Sequence, residues 1–135
     1  MEENTVWIID DDMVSQFAMV YKIEQSYPNN RVIGFYTVEE ALTMIKESSE
    51  TQCRLPNIIL LDLVLPEMNG WHFLSELEKL RGHINSVNIY IYIVSAFSNK
   101  TDRKLAKEHP MVKDYFDKPI SKGSVDKIFK KGKKE

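Results

Sequence analysis

Five short apolar runs alternate with segments of helical period, and each run stops at a polar residue. This alternation constrains the fold more than any other feature. Thr5 to Ile9 is an apolar run that ends in Asp10-Asp11-Asp12, which reads as a buried strand halted by charge. Met13 to Gln25 follows with Phe17, Val20, Tyr21 and Glu24 at helical spacing, closed by Pro28-Asn29-Asn30. Arg31 to Phe35 reads as a second strand. Thr37 and Glu40 then have capping-box spacing, opening a helix with Ala41, Leu42 and Ile45 on one face. Asn57 to Leu63 is a third strand, apolar on both faces as in the centre of a parallel sheet. Pro66 to Gly70 is a turn. Trp71 to Leu80 is helical, with Phe73, Leu74, Leu77 and Leu80 inward and Gly82 ending it. Asn88 to Val94 and Val112 to Phe116 complete the strands. Between them lies a polar helix over Lys100 to Glu108, and after them a helix over Ser124 to Lys130 with Val125, Ile128 and Phe129 inward.

Strands alternating with helices predict an α/β fold in three layers, a doubly wound parallel sheet with helices on both faces. Residues 1–135 read as a single domain, ordered over about 5–130, with a basic tail at 131–135. With 43% hydrophobic and 28% charged residues the chain is globular rather than disordered. A net charge of -2 argues against nucleic-acid binding through bulk charge. The lone Cys53 excludes an internal disulfide and a thiolate metal site. No apolar run is long enough to span a bilayer, and the acidic N-terminus is unlike a signal peptide, so a cytoplasmic location is expected.

In such a sheet, sites form at the carboxyl ends of the strands, where strand order reverses. The residues there are Asp10, Asp11 and Asp12 after the first strand, Asp62 after the third, Ser95 after the fourth and Lys118 after the fifth. Two carboxylates about 4 Å apart repel by roughly 4 kcal/mol at an effective dielectric near 20. The cluster is tolerable if acids protonate, if Lys118 sits among them, or if a cation binds. Oxygen-only ligands favour a hard ion, Mg²⁺ or Mn²⁺. A carboxylate beside such an ion can act as a nucleophile and form an acyl phosphate. Asp62 is the strongest candidate, because it interrupts a strand flanked by Ile58 to Leu61 and Leu63 to Leu65. Taken singly, Asp12 is as readily a helix cap, Lys118 a solvated lysine and Ser95 a satisfied hydroxyl.

Four segments also resemble the receiver domain of two-component response regulators. They are Ile8-Ile9-Asp10-Asp11-Asp12, Leu60 to Gly70 with its Asp-x-x-x-Pro-x-x-x-Gly spacing, Ile93-Val94-Ser95-Ala96, and Asp117-Lys118-Pro119. The resemblance implies a flavodoxin-like sheet of order 2-1-3-4-5. It implies that Asp62 is the phospho-acceptor, that Asp10 and Asp11 hold Mg²⁺ together with Asp62 and the backbone carbonyl of Val64, and that Lys118 pairs with the phosphate. Ser95 takes the hydroxyl switch position and Tyr115 the aromatic one. The phosphoryl donor would be a sensor histidine kinase or a histidine phosphotransfer protein. The protein would catalyse only its own phosphorylation and dephosphorylation, and would not be an enzyme with a separate substrate. No output domain follows the last helix in this sequence, so a downstream protein would be met through the 100–115 face, with neither nucleic acid nor membrane as partner. Val64 and Phe97 stand at positions that are often polar in the family, which predicts a long-lived phosphoryl group. A rival resemblance, Asp10-Asp11-Asp12-Met13-Val14 to the first motif of haloacid-dehalogenase-type phosphatases, would make Asp10 the nucleophile and Asp12 the general acid. It leaves Asp62 and the Pro66 to Gly70 turn without a role.

Overall fold

The computed structural model describes residues 4–48, 55–64, 69–80, 89–96 and 99–130. The strands are β1 (Thr5–Ile9), β2 (Arg31–Phe35), β3 (Ile58–Leu61), β4 (Tyr90–Ser95) and β5 (Val112–Asp117). The helices are α1 (Met13–Ser26), α2 (Val38–Ser48), α3 (Gly70–Lys79), α4 (Lys100–Glu108) and α5 (Lys122–Lys130). All strand pairs are parallel, in the order β2-β1-β3-β4-β5. The expected three-layer, doubly wound sheet is therefore present.

Residue alternation along the strands divides the core. Trp7, Ile9, Ile59, Leu61 and Ile91 point to one face, where Ala41, Leu42 and Ile45 of α2 and Phe73, Leu74 and Leu77 of α3 cover them. Val6, Ile8, Ile58, Leu60 and Val94 point to the other, under Met19 and Ile23 of α1 and Val125, Ile128 and Phe129 of α5. A small third cluster of Leu63, Ile93 and Ala106 seats α4. The four residues of β3 are buried throughout, as a central parallel strand requires. Between β4 and β5 the register slips. Ile91 pairs with Val112 but Tyr92 pairs with Asp114, so Lys113 is an extra residue on the edge strand.

Several local expectations need correction. The periodicity of α1 suggested a face of Phe17, Val20, Tyr21 and Glu24. Phe17 and Tyr21 are instead exposed, and Gln16, Met19 and Ile23 are buried. Gln16 lies inside because its side-chain amide donates to the carbonyls of Asp10 and Phe35, both at 3.1 Å. It also fills the space over Gly34, where a Cβ would come within 2.1 Å of its Oε1. The capping box of α2 is displaced by one residue. Thr37 Oγ1 accepts the Glu40 N–H at 3.1 Å, but Glu40 returns to the Tyr36 N–H at 3.2 Å and not to that of Thr37. Helix α3 begins one residue before expected, with Asn69 accepting the His72 N–H at 2.9 Å. Helix α5 begins two residues earlier than the Ser124 start, because Ser121 Oγ accepts the Ser124 N–H at 3.1 Å. Gly82, Cys53, Phe97, Pro66 and the tail at 131–135 lie outside the described residues.

Candidate functional site

The reversal of strand order falls at β1 and β3, and the residues that follow these strands are Asp10 and Asp62. The strand backbones carry their ladder one step further here. Asp10 N–H donates to Phe35 O at 3.0 Å, and Asp62 N–H donates to Ile9 O at 3.0 Å. This fixes the two side chains as neighbours at the sheet's carboxyl edge. On the other side, Lys118 N–H donates to Ser95 O at 3.0 Å, which brings the end of β5 against the end of β4. The Lys118–Pro119 peptide is cis.

Asp10 is fully buried and Asp62 nearly so. Lys118 Nζ lies 2.7 Å from Asp10 Oδ2 and 3.1 Å from Asp62 Oδ2. Asp10 also accepts the Ser15 hydroxyl at 2.8 Å and the Asp12 N–H at 3.0 Å. Asp62 Oδ1 accepts the Val64 N–H at 3.2 Å. Asp11 is exposed, and one carboxylate oxygen from each of Asp10, Asp11 and Asp62 lies within 4.8 Å of the others. Three oxygen donors in that space suit a hard divalent ion. Three carboxylates against one ammonium leave an excess of two negative charges, which such an ion would balance.

Burial pushes the Asp62 carboxyl above the ordinary carboxylate range. The Lys118 charge and the Val64 N–H pull it down, the nearby Asp10 adds to the rise, and burial wins. Burial disfavours the Lys118 cation too, but its bond to Asp10 and the charges of Asp62 and Asp10 outweigh this and hold it above its usual value. One lysine thus serves two buried acids and does not fully compensate Asp62.

The Ser95 hydroxyl is fully buried and has no hydrogen-bond partner among the described residues. Tyr115 sits on β5 opposite Ile93, with the Arg103 guanidinium 4.9 Å from its ring centroid. Arg103 simultaneously grips Asp117, at 2.6 and 2.7 Å. Gly70, which opens α3, lies against the end of β3 at Asp62 and Leu63. A Cβ there would meet Asp62 O at 2.7 Å and Leu63 Cα at 3.0 Å, so only glycine allows this approach. Its N–H donates to Leu63 O at 3.0 Å.

The structure therefore brings together Asp10, Asp11, Asp62 and Lys118, with Ser95 and Val64 at the same edge. Tyr115 stands apart, one layer out beneath α4. Asp12 does not join the acids. It caps α1, accepting the N–H groups of Val14 at 3.0 Å and Ser15 at 3.4 Å. A carboxylate so engaged is poorly placed as a general acid, which removes the main support for the phosphatase resemblance. Ser15, Gln16 and the Arg103–Asp117 pair escaped sequence reasoning. Ser and Gln in a first helical turn carry no signal of their own, and the Arg–Asp pair joins two elements.

Residues 6–130 match the family model of the response regulator receiver domain. The chain belongs to the response regulator receiver family. A solved structure, a two component response regulator from Cytophaga hutchinsonii, superposes with a TM-score of 0.86 at 20% identity, covering 99% of this chain and 100% of that one. A response regulator receiver protein from Dyadobacter fermentans gives 0.77 at 20% identity, over 96% and 97% of the two chains. At these identities the likeness is one of fold. In sequence, the receiver is 27% identical over 121 residues to "Probable transcriptional regulator ycf27" of Porphyridium aerugineum. That match covers 90% of this chain but 44% of the relative, so the receiver spans less than half the relative's length. Among the described residues no helix is long and apolar enough to cross a membrane.

Proposed function

We propose that Asp62 accepts a phosphoryl group from a phosphohistidine of a sensor kinase or phosphotransfer protein, and that the acyl phosphate switches the binding of a downstream protein through the 100–115 face. The observation that carries this reading is the buried Asp62 carboxylate at 3.1 Å from Lys118 and beside two further acids. In the transfer, a carboxylate oxygen of Asp62 forms a bond to phosphorus. The phosphorus–nitrogen bond of the donor breaks, and its electron pair leaves with the imidazole.

Asp10, Asp11, Asp62 and the Val64 carbonyl would hold Mg²⁺, and the all-oxygen donor set suits Mn²⁺ as well. When bound, the ion supplies positive charge that screens the carboxylates and the phosphoryl oxygens. The protein's own groups do the rest. The Val64 N–H holds one Asp62 oxygen in place. Lys118 Nζ, already on Asp62 Oδ2, passes to a phosphoryl oxygen as that oxygen takes up the negative charge. The Ser95 hydroxyl, buried and without a partner among the described residues, gains an acceptor. Tyr115 then follows Ser95, and the 100–115 face changes shape. On this reading the chain catalyses only the gain and loss of its own phosphoryl group.

The test is incubation with Mg²⁺ and acetyl phosphate followed by intact mass. The wild type should gain one phosphoryl group and Asp62→Asn none. A gain that survives in Asp62→Asn, or no gain in the wild type, overturns the assignment.

A further inference from the structure

At the edge of the sheet away from β5, β2 pairs with β1 alone among the described residues. That ladder runs without a slip from Thr5 opposite Arg31 to Ile9 opposite Phe35. Arg31 N–H donates to Asn4 O at 2.8 Å, and Phe35 O accepts the Asp10 N–H at 3.0 Å, so both residues face β1. By the two-residue period of a strand Ile33 faces β1 as well, and Val32 and Gly34 turn their N–H and C=O groups to the open side. Gly34 is exposed and has no side chain to cover them. Beyond it the Tyr36 N–H is taken by Glu40 at 3.2 Å, which closes the open stretch.

A groove of about 520 Å³ runs from Gly34 and Phe35 along α2, whose Glu39, Glu40, Met44 and Glu47 form its wall. Buried Phe35 and half-buried Met44 give it an apolar floor. No cation lines it, and none of the three glutamates is ion-paired among the described residues. Nor do these acids stand close enough to share one metal ion. Among the described residues, Asp10, Asp11 and Asp62 alone do so. The groove thus joins an open strand edge to a helix wall of dispersed, unpaired negative charge.

We propose that an extended, lysine- or arginine-rich segment of a partner protein adds to β2 as a sixth strand. Its backbone pairs with Val32 and Gly34, and its alternate side chains reach along α2 to Glu39, Glu40 and Glu47. Strand addition of this kind takes affinity from main-chain bonds and specificity from every second side chain. The spacings agree. Alternate residues of a strand stand about 6.7 Å apart, so three of them span about 13 Å. Glu40 and Glu47 are two helical turns apart, about 11 Å along the axis of α2. Two outer cations therefore meet the acids, and the aliphatic stem of a third side chain between them rests on Met44. A second copy of the chain fits less well. Two β2 edges paired about a twofold axis would set one acid wall against the other. This surface lies apart from Asp62 and is independent of its phosphorylation.

The test uses the full, unphosphorylated chain and a short fluorescent peptide in which lysine alternates with threonine or valine. One twin carries glutamate for lysine. Two others are N-methylated, one at the lysines and one at the residues between them, so that only one of the two loses the N–H groups that face β2. The parent peptide should bind, more weakly as salt rises, and the glutamate twin should not. One N-methylated twin should lose binding and the other keep it. Glu39→Lys and Glu47→Lys should each weaken the parent about fivefold, while Glu78→Lys on α3 leaves it within about twofold. Amide exchange at Val32 and Gly34 should slow about tenfold at saturating peptide. The proposal is overturned by no binding of the parent, by equal loss in both N-methylated twins, or by indifference to Glu39→Lys and Glu47→Lys. Unchanged exchange at Val32 and Gly34 overturns it too, as does self-association that protects these amides without peptide. So does release of the peptide by MgCl₂ but not by KCl at matched ionic strength, which would make the acids a metal site.

Discussion

Replacing Asp62 by Asn should stabilise the receiver when no divalent ion is present and remove most of the stabilisation that Mg²⁺ confers. In the resting site, Asp10 and Asp62 share Lys118, with carboxylate oxygens no more than 4.8 Å apart. Two charges at that spacing repel by roughly 3 kcal/mol at an effective dielectric near 20. Lys118 offsets much of this, and the Asp62 carboxyl is raised mainly by burial, with Asp10 adding a smaller part. The sign follows from linkage. A carboxyl raised in the folded state contributes stability below the ordinary carboxylate range, and that contribution is lost as pH rises through its folded value. At neutral pH the Asp62 charge is therefore a burden, and a neutral amide of the same shape relieves it. On the proposed reading Mg²⁺ would relieve it differently, through binding at the three acids. At ten times its dissociation constant it adds about 1.4 kcal/mol, or about 4–5 °C in Tm for a chain of this size. Thermal denaturation of wild type and Asp62→Asn, with MgCl₂ and with KCl at matched ionic strength, reads both effects. The gap between the two metal-free proteins should widen as pH climbs above the ordinary carboxylate range. An equal Mg²⁺ increment in both proteins, or an equal increment from KCl, refutes the electrostatic account of the site.

Four further outcomes can be checked. Ser95→Ala removes a buried hydroxyl that has no partner among the described residues, so denaturant unfolding should move by less than about 1 kcal/mol, yet phosphorylation should no longer alter Tyr115 fluorescence. Gly70→Ala places a Cβ against Asp62 O, and should cost about 1–3 kcal/mol by denaturant unfolding while slowing acetyl phosphate labelling. Val64→Asn puts a polar group at an exposed position two residues from Asp62, the proposed acceptor, and should shorten the half-life of the phosphorylated species, followed by intact mass over time. Tyr27 donates to Asp126 at 2.6 Å, tying the end of α1 to α5, and burial followed by Asp126 pushes its phenol from 10.0 up to about 12. The stability from this phenol is complete below pH 10 and lost as pH rises toward 12, so the wild-type advantage in Tm over Tyr27→Phe should vanish across that window.

The strands were legible because burial on both faces of a central parallel strand leaves no alternation to misread, as in Ile58 to Leu61. The site was legible for a related reason. A charge at the end of such a run is conspicuous, and the fold delivers strand ends to one edge. Helix faces were harder. In α1, Phe17 and Tyr21 look like core residues, whereas the buried position is Gln16, whose amide satisfies two carbonyls at the end of β1 and β2. A hydrophobicity pattern has no means of finding a polar side chain that is inside because of its hydrogen bonds. Lys118 carried a weak signal for a different reason. Its two partners are far away in sequence, and that it serves Asp10 as well as Asp62 is a property of the closed sheet.

The slipped register of β5 has one more consequence, for the behaviour of the protein at high concentration. Outer strands expose unpaired backbone groups that can recruit strands from other molecules and seed aggregates. Here the outer strand carries an extra lysine, with an exposed aspartate next to it, in the stretch where a foreign strand would have to match its spacing. An incoming strand would meet a broken hydrogen-bond rhythm and two charges at that point. The irregularity thus guards the open flank of the sheet, and straightening it by deleting Lys113 should shorten the time the protein stays clear in concentrated solution.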